Sequence, residues 1–161
     1  MNTPRLQSKQ AIVTGGGSGI GREISKRLAE DGANVAIFEI NLENAQETVS
    51  DITQTGGAAQ AIQCDISDNS CVKEAVGKLI TVNPQIDILV NNAGIAHIGN
   101  VESTTPDDLD RIYSVNVKGV YNGMHAVVPV MREQGAGTII NLASVASKIG
   151  IADRFAYSMS K

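Results

Sequence analysis

The chain has 161 residues, of which 42% are hydrophobic and 19% charged, with a formal net charge of -4. That length holds one domain with its own core, and the balance is that of a globular rather than a disordered chain. A pI near 5.1 and 3% aromatics argue against nucleic acid as a partner, because that binding rests on clustered Lys and Arg and on stacking rings.

Met1 to Gln10 contains no apolar segment of the secretory-leader type, and no apolar run approaches the length of a bilayer span. A cytoplasmic protein that does not enter a membrane is the expectation. Gln10-Ala11-Ile12-Val13-Thr14 is a short β-branched run stopped by glycines, and is read as a buried strand. Gly19 to Glu30 is read as a helix, stopped at Asp31-Gly32. A strand follows over Asn34 to Glu39, then a helix from Asn41 to Thr55, ended by Gly56-Gly57, and a third strand over Ala58 to Gln63. Ser67 is expected to cap a helix running to Val82, where Asn83-Pro84 breaks it.

Ile86 to Val90 is the fourth expected strand, ending in Asn91-Asn92-Ala93-Gly94. Pro106 opens a long helix that continues to Glu133, with a kink at Pro129. Gly137 to Leu142 is the fifth strand, Ala143 to Arg154 is irregular, and a last helix starts at Phe155. Alternating strands and helices predict one α/β domain over residues 1–161, a doubly wound parallel sheet with right-handed crossovers. The apolar strands are expected to be covered on both faces. Ligands of such sheets bind beyond the carboxyl ends of the strands.

Thr14-Gly15-Gly16-Gly17-Ser18-Gly19-Ile20-Gly21 lies between the first strand and the first helix. In that context Gly15 allows a tight turn, Gly19 lets backbone approach a pyrophosphate, and Gly21 lets helix and strand pack closely. The helix start offers free N–H groups to phosphates. Glu39 ends the second strand, 18 residues after Gly21. A carboxylate there accepts hydrogen bonds from an adenosine ribose and repels a 2′-phosphate, so NAD is expected over NADP. Asp65 is open to two readings: an acceptor for the adenine amino group, or an acid at a helix N-terminus favoured by the dipole. Asn92, Ala93 and Gly94 close the fourth strand, where Gly94 permits close backbone approach and Asn91 has a structural alternative.

Tyr157 and Lys161 stand i, i+4 on one helix face. A cation one turn away favours the phenolate, so the pair can serve as an acid–base couple near neutral pH. Ser144 stands 13 residues before Tyr157 and can hydrogen-bond a substrate oxygen. Asn116, amid apolar neighbours, either holds a relay water or bridges helix backbone. His97 is read as a solvated loop residue, with substrate contact as the alternative, and His125 as structural. Cys64 and Cys71 lack companions for a zinc set and read as small buried or half-buried residues, so no metal is expected.

Thr14 to Gly21, Asn91 to Gly94, Asn116, Ser144, Tyr157 and Lys161 match in order and spacing the short-chain dehydrogenase/reductase family. The chain resembles its 3-oxoacyl-carrier-protein-reductase-like and NAD-dependent alcohol dehydrogenase members over essentially its whole length. The resemblance implies a Rossmann sheet with strand order 3-2-1-4-5, and a nucleotide held by Gly15, Ser18, Gly19, Ile20, Gly21, Glu39, Asp65, Ile66, Asn92, Ala93, Gly94, Tyr157 and Lys161. It implies Tyr157 as the acid–base group, Lys161 as its modulator and a ribose ligand, Ser144 orienting a secondary alcohol or ketone, and Asn116 anchoring a relay water. A metal-free hydride transfer and a homotetramer are also implied. Family members continue for roughly 80–100 more residues with the outer strands of the sheet, so a C-terminally truncated chain is expected. A catalytically incompetent nucleotide-binding or interaction fragment is the alternative.

Overall fold

The structure, a computed structural model, describes residues 4–161. Met1–Thr3, part of the stretch searched for a leader, lie outside the described residues. The elements run β1 (Gln10–Thr14), α1 (Gly19–Glu30), β2 (Asn34–Glu39), α2 (Leu42–Gln54), β3 (Ala58–Gln63), α3 (Asn69–Val82) and β4 (Ile88–Asn91). Then come α4 (Pro106–Tyr113), a π-helical turn (Ser114–Lys118), α5 (Gly119–Gln134), β5 (Thr138–Asn141), a 3₁₀ turn (Val145–Ser147) and α6 (Phe155–Ser160).

All strand pairs are parallel and the order is β3-β2-β1-β4-β5, as expected for the doubly wound sheet. Alternate residues of each strand face opposite sides, so β1 feeds two cores. Ile12 joins Phe38, Val72, Leu89 and Val127 in one. Ala11 and Val13 join Val35, Ile37, Ala45, Ile52 and Val90 in the other. Complete burial of a side chain such as Ile12 or Phe38 contributes roughly 1.5–3 kcal/mol. The chain leaves β3 at one edge and returns as β4 on the other side of β1. The strand order therefore reverses beside β1, and a crevice opens at the carboxyl ends of β1 and β4.

Local chemistry sets the helix starts. The Asn41 side chain accepts from the N–H groups of Glu43 and Asn44, and that of Thr105 accepts from Asp108 ahead of Pro106. At α3 the cap is Asp68 and not Ser67: the Asp68 carboxylate accepts from the N–H groups of Ser70 and Cys71. Ser67 is already engaged, because its N–H and hydroxyl both donate to Asp65 Oδ1 at 2.9 and 2.7 Å.

The long helix differs from the expectation. It passes through Pro129 inside α5, and its departure from α geometry lies earlier, in the π turn at Ser114–Lys118. A π turn holds one residue more than an α turn and is frequent at functional sites. α5 ends at Gly135, whose φ of 72° gives the left-handed cap. β5 also departs from the both-faces-covered reading, since Ile140 is 47% exposed on this edge strand.

Candidate active site

The crevice at the end of β1 and β4 holds a cavity of about 410 Å³. Gly15, Ser18, Gly19, Ile20 and Gly21 line it from the first turn, Glu39 from the end of β2, Asp65 and Ile66 from the loop after β3, and Asn92, Ala93 and Gly94 from the loop after β4. The structure thus brings eleven of the thirteen expected nucleotide residues to one cavity, and Tyr157 and Lys161 stand outside its lining.

Two glycines of the turn are required by geometry. Gly21 passes against the Gly15 carbonyl oxygen and Asn92 Nδ2, leaving no room for a Cβ. Gly19 has φ of 50° and nothing within 4 Å of where its Cβ would stand, so its backbone faces open space. Ser18 takes the N-cap position of α1 with extended backbone, and its side chain makes no cap bond. The first turn of α1 therefore meets the cavity with backbone N–H groups still free to bind an anion.

Thr14 and Asn92 lock this mouth. Thr14 Oγ1 accepts from the N–H groups of Asn92 and Ala93, each at 3.1 Å. Asn92 Nδ2 donates to the carbonyls of Thr14 and Gly15 at 3.0 and 3.1 Å. Asn92 thus fastens β4 to the glycine turn, and Asn91 donates to Asn141 Oδ1 at 2.8 Å, tying β4 to β5. Thr14 and the buried Asn122, whose amide donates to the carbonyls of Ile66 and Ser67, were not singled out from the sequence. The signal was available: each is a polar residue set in an apolar stretch, which needs a partner when buried.

Glu39 is more heavily engaged than a bare strand-end acid. Its Oε2 accepts from the Gly17 N–H at 3.1 Å, and Oε1 accepts from Ile40 and Asn41 at 3.0 and 3.3 Å. A carboxylate offers about four acceptor sites, so three backbone donors leave room for one more. Arg22, in the first turn of α1, is committed elsewhere: it reaches Asp51 at 2.8 Å and Glu47 at 3.5 Å on α2. The Arg22 hydrogen bond is the main cause holding the Asp51 carboxyl below the usual range. Asp65 lies before α3, outside its first turn, and its Oδ1 serves Ser67; the reading as a helix N-terminal acid is corrected.

Asn116 sits in the π turn, 3% exposed. Its Oδ1 accepts from the Ile95 N–H at 2.8 Å, and its Nδ2 donates to the Ile95 carbonyl at 2.9 Å and to Ser160 Oγ at 2.8 Å. The side chain therefore reaches across to the loop after β4 and to α6, not to its own helix backbone. Lys161 Nζ donates to the Leu142 carbonyl at 3.2 Å and stands 6.0 Å from the Tyr157 ring centroid. A Cβ on Gly94 would lie 3.1 Å from Lys161 Nζ and 3.2 Å from Asn116 Oδ1. Gly94 thus joins the cavity wall to the Asn116–Lys161 group. Ser144 opens the 3₁₀ turn and accepts from the Ala146 N–H at 3.2 Å, and this turn packs against α6.

His97 is not the solvated residue expected. Its side chain is 13% exposed with Nδ1 3.7 Å from Asp108 Oδ1, and it does not line the cavity. His125 stacks on Tyr121 at 5.3 Å on an exposed face of α5. Among the described residues no cluster of His, Cys, Asp and Glu could hold a metal ion, and no helix is long and apolar enough to cross a membrane.

A family profile described as short chain dehydrogenase matches residues 9–161. An uncharacterized oxidoreductase of Thermotoga maritima is 43% identical over 97% of this chain and 61% of its own length. A 3-oxoacyl-[acyl-carrier-protein] reductase of Chlamydia pneumoniae is 38% identical over 97% of this chain and 63% of its own. Among solved structures, an NAD+-bound xylitol dehydrogenase superposes with a TM-score of 0.94 at 32% identity, covering 98% of this chain and 61% of that one. A metagenomic short-chain oxidoreductase in complex with NADP gives 0.94 at 32%, covering 98% and 72%. The chain spans about three-fifths of the length of these curated relatives. With the sheet order, the glycine turn and this agreement in sequence and shape, the chain belongs to the short chain dehydrogenase family.

Proposed function

We propose that residues 1–161 form one NAD(H)-binding unit of an oxidoreductase acting on a secondary alcohol or ketone, without a metal. The observation that carries this reading is the cavity bounded by the glycine turn, Glu39 and Gly94, with the Lys161 ammonium just behind Gly94. The residues fit a dinucleotide. Open space over Gly19 admits a pyrophosphate to the start of α1, and Asp65 and Ile66 wall the far side. A bound nicotinamide supplies or accepts the hydride.

The protein's own part is binding, orientation and proton transfer. Ser18, Gly19 and Ile20 present the α1 start to phosphate. Glu39 offers its remaining acceptor site to a ribose hydroxyl and opposes a 2′-phosphate, while Arg22 is held by Asp51 and Glu47 and lends no cation. Ser144 orients the reacting oxygen. Tyr157 gives or takes the proton there, with the Lys161 ammonium 6.0 Å from its ring centroid. Asn116 acts by holding the loop after β4 and α6 in place.

The neighbours bind both kinds of nicotinamide cofactor, NADP in one complex and NAD+ in another. NAD is proposed here on Glu39 and on the commitment of Arg22. A fluorescence titration with NADH and NADPH tests it: tighter NADH binding is expected, and equal or tighter NADPH binding overturns the cofactor choice. A second reading, a nucleotide-binding piece without turnover of its own, is favoured by the three-fifths share of the relatives' length. NADH binding with no turnover on any secondary alcohol or ketone would select it. A homotetramer is part of the proposal on the family resemblance alone.

A further inference from the structure

Cys64 and Cys71 stand seven residues apart, yet the fold brings their sulfurs to 3.6 Å, with the Cys71 thiol donating toward Cys64. Cys64 follows β3, is 2% exposed and lines the nucleotide cavity with Asp65 and Ile66. Cys71 lies in the first turn of α3, half-buried, and is not part of that lining. A disulfide brings its sulfurs to about 2.05 Å, so closing it draws the two sulfurs roughly 1.5 Å nearer. The short segment between the two cysteines contains Asp65 and Ile66 of the cavity wall.

We propose that Cys64 and Cys71 form a redox-modification site, closed to an intramolecular disulfide by a peroxide, and that the bond weakens binding at the Asp65–Ile66 end of the cavity. The binding half of the proposal rests on the dinucleotide reading above.

The order of events follows from exposure. Cys71 is the half-buried member of the pair and Cys64 the buried one. Burial, and then the neighbouring Cys71, push the Cys64 thiol up, so Cys64 is a poor first nucleophile. The Cys71 thiolate attacks one peroxide oxygen, the O–O bond breaks, hydroxide leaves, and a sulfenic acid forms on Cys71. The Cys64 sulfur then attacks the Cys71 sulfur. The S–O bond breaks, and the departing hydroxyl takes the Cys64 proton and leaves as water. The two thiols lose two electrons, and peroxide is reduced to water.

The test is made on the purified chain, treated with hydrogen peroxide and then with dithiothreitol. The intact mass should fall by two hydrogens on oxidation and recover on reduction, with both cysteines in one Leu28-to-Lys73 tryptic segment. NADH affinity should weaken about tenfold in the oxidised chain, the worth of one lost hydrogen bond or about 1.4 kcal/mol, and recover with the mass. Cys71→Ser should bind NADH as the parent does and lose both responses. Uptake of oxygen without loss of two hydrogens, or covalent dimers in its place, overturns the site. A disulfide that leaves NADH affinity unchanged overturns its effect on the cavity. A reduced chain that binds no NADH refutes the dinucleotide reading instead, and mass alone then decides the disulfide.

Discussion

Gly19 and Gly21 stand two residues apart, and the structure assigns them opposite sensitivities to the same added methyl. At Gly19 an alanine Cβ meets nothing within 4 Å, so the cost is the left-handed φ of 50°. That is about 1–2 kcal/mol for a non-glycine residue, offset by roughly 0.4–1 kcal/mol from a less flexible unfolded chain. The net loss is about 1 kcal/mol, a fall in Tm of roughly 2–4 °C at this chain length. The methyl, however, projects into the open space proposed for phosphate, so NADH binding should be lost. Gly21→Ala reverses the pattern. Its Cβ would overlap the Gly15 carbonyl oxygen, a backbone atom held in the turn by the Asn92 amide, so relief requires moving the turn away from β4. Overpacking of this kind costs about 1–3 kcal/mol where side chains can yield, and more where backbone must. The expected fall in Tm is at least ~6 °C, or failure to accumulate as folded protein. Thermal melts by circular dichroism and NADH fluorescence titrations read the two effects separately. Gly19→Ala binding NADH at parent affinity, or Gly21→Ala melting with Gly19→Ala, would refute the roles given to these backbones.

Asn116→Ala strips partners from the Ile95 N–H and carbonyl and from the Ser160 hydroxyl. At 1–3 kcal/mol per stranded group, a loss of about 3 kcal/mol is expected in urea unfolding; a loss under ~0.5 kcal/mol would sink the anchoring role. Acid should destabilise the fold through Asp31, Asp51, Asp68 and Asp108. Hydrogen bonds from Arg5, Arg22, Ser70 and Thr105 respectively are the largest causes holding their carboxyls below the usual range. A depressed folded value means stability present above the unfolded value, near 3.9, and lost as pH falls through the lower folded ones. Tm should therefore fall below about pH 4, with Asp51→Asn flattening part of the fall; a Tm that stays level from pH 5 to pH 2 contradicts it. Tyr157→Phe, made in a polypeptide of the relatives' length, should lower kcat by roughly 10²–10⁴ with NADH affinity unchanged. Near-parent turnover would remove Tyr157 from proton transfer.

The parts of this structure legible in the sequence are those fixed by local chemistry. β1, β2 and β3 have the expected bounds, because each is an apolar or β-rich run closed by glycine, acid or helix-cap residues. The glycine turn was readable because it stands between a strand and a helix. The Ser67 cap failed on a competition: two side chains within reach of one helix start, and Asp65 claims Ser67 first. The π turn was hidden because its residues, Ser114 to Lys118, are ordinary in a helix. What sets them apart is the reach of Asn116 to Ile95, a contact 21 residues back along the chain. The burial of His97 and the closeness of the two half-buried or buried cysteines are not legible for a similar reason. Asp108 covers the histidine, and the turn between β3 and α3 folds Cys71 onto Cys64.

The position of Tyr157 in α6, and of Lys161 directly after it, is decided outside that helix. α6 has six residues, and a helix that short does not nucleate alone. It is held from three sides: the Phe155 N–H donates to the Gly99 carbonyl at 3.0 Å, Asn116 donates to Ser160, and Lys161 donates to the Leu142 carbonyl at the end of β5. Its own Ala156 is fully buried. Two of these ties run to the loop after β4 or to its anchor, and that loop begins at the cavity wall formed by Asn92, Ala93 and Gly94. The cavity wall and the Tyr157–Lys161 pair are thus tied through Ile95 and Asn116. This explains why a side chain with three satisfied hydrogen bonds belongs beside the proposed proton-transfer pair. Asn116 fixes the loop after β4 against α6, a service that a water or a longer side chain with more free rotation would perform less rigidly.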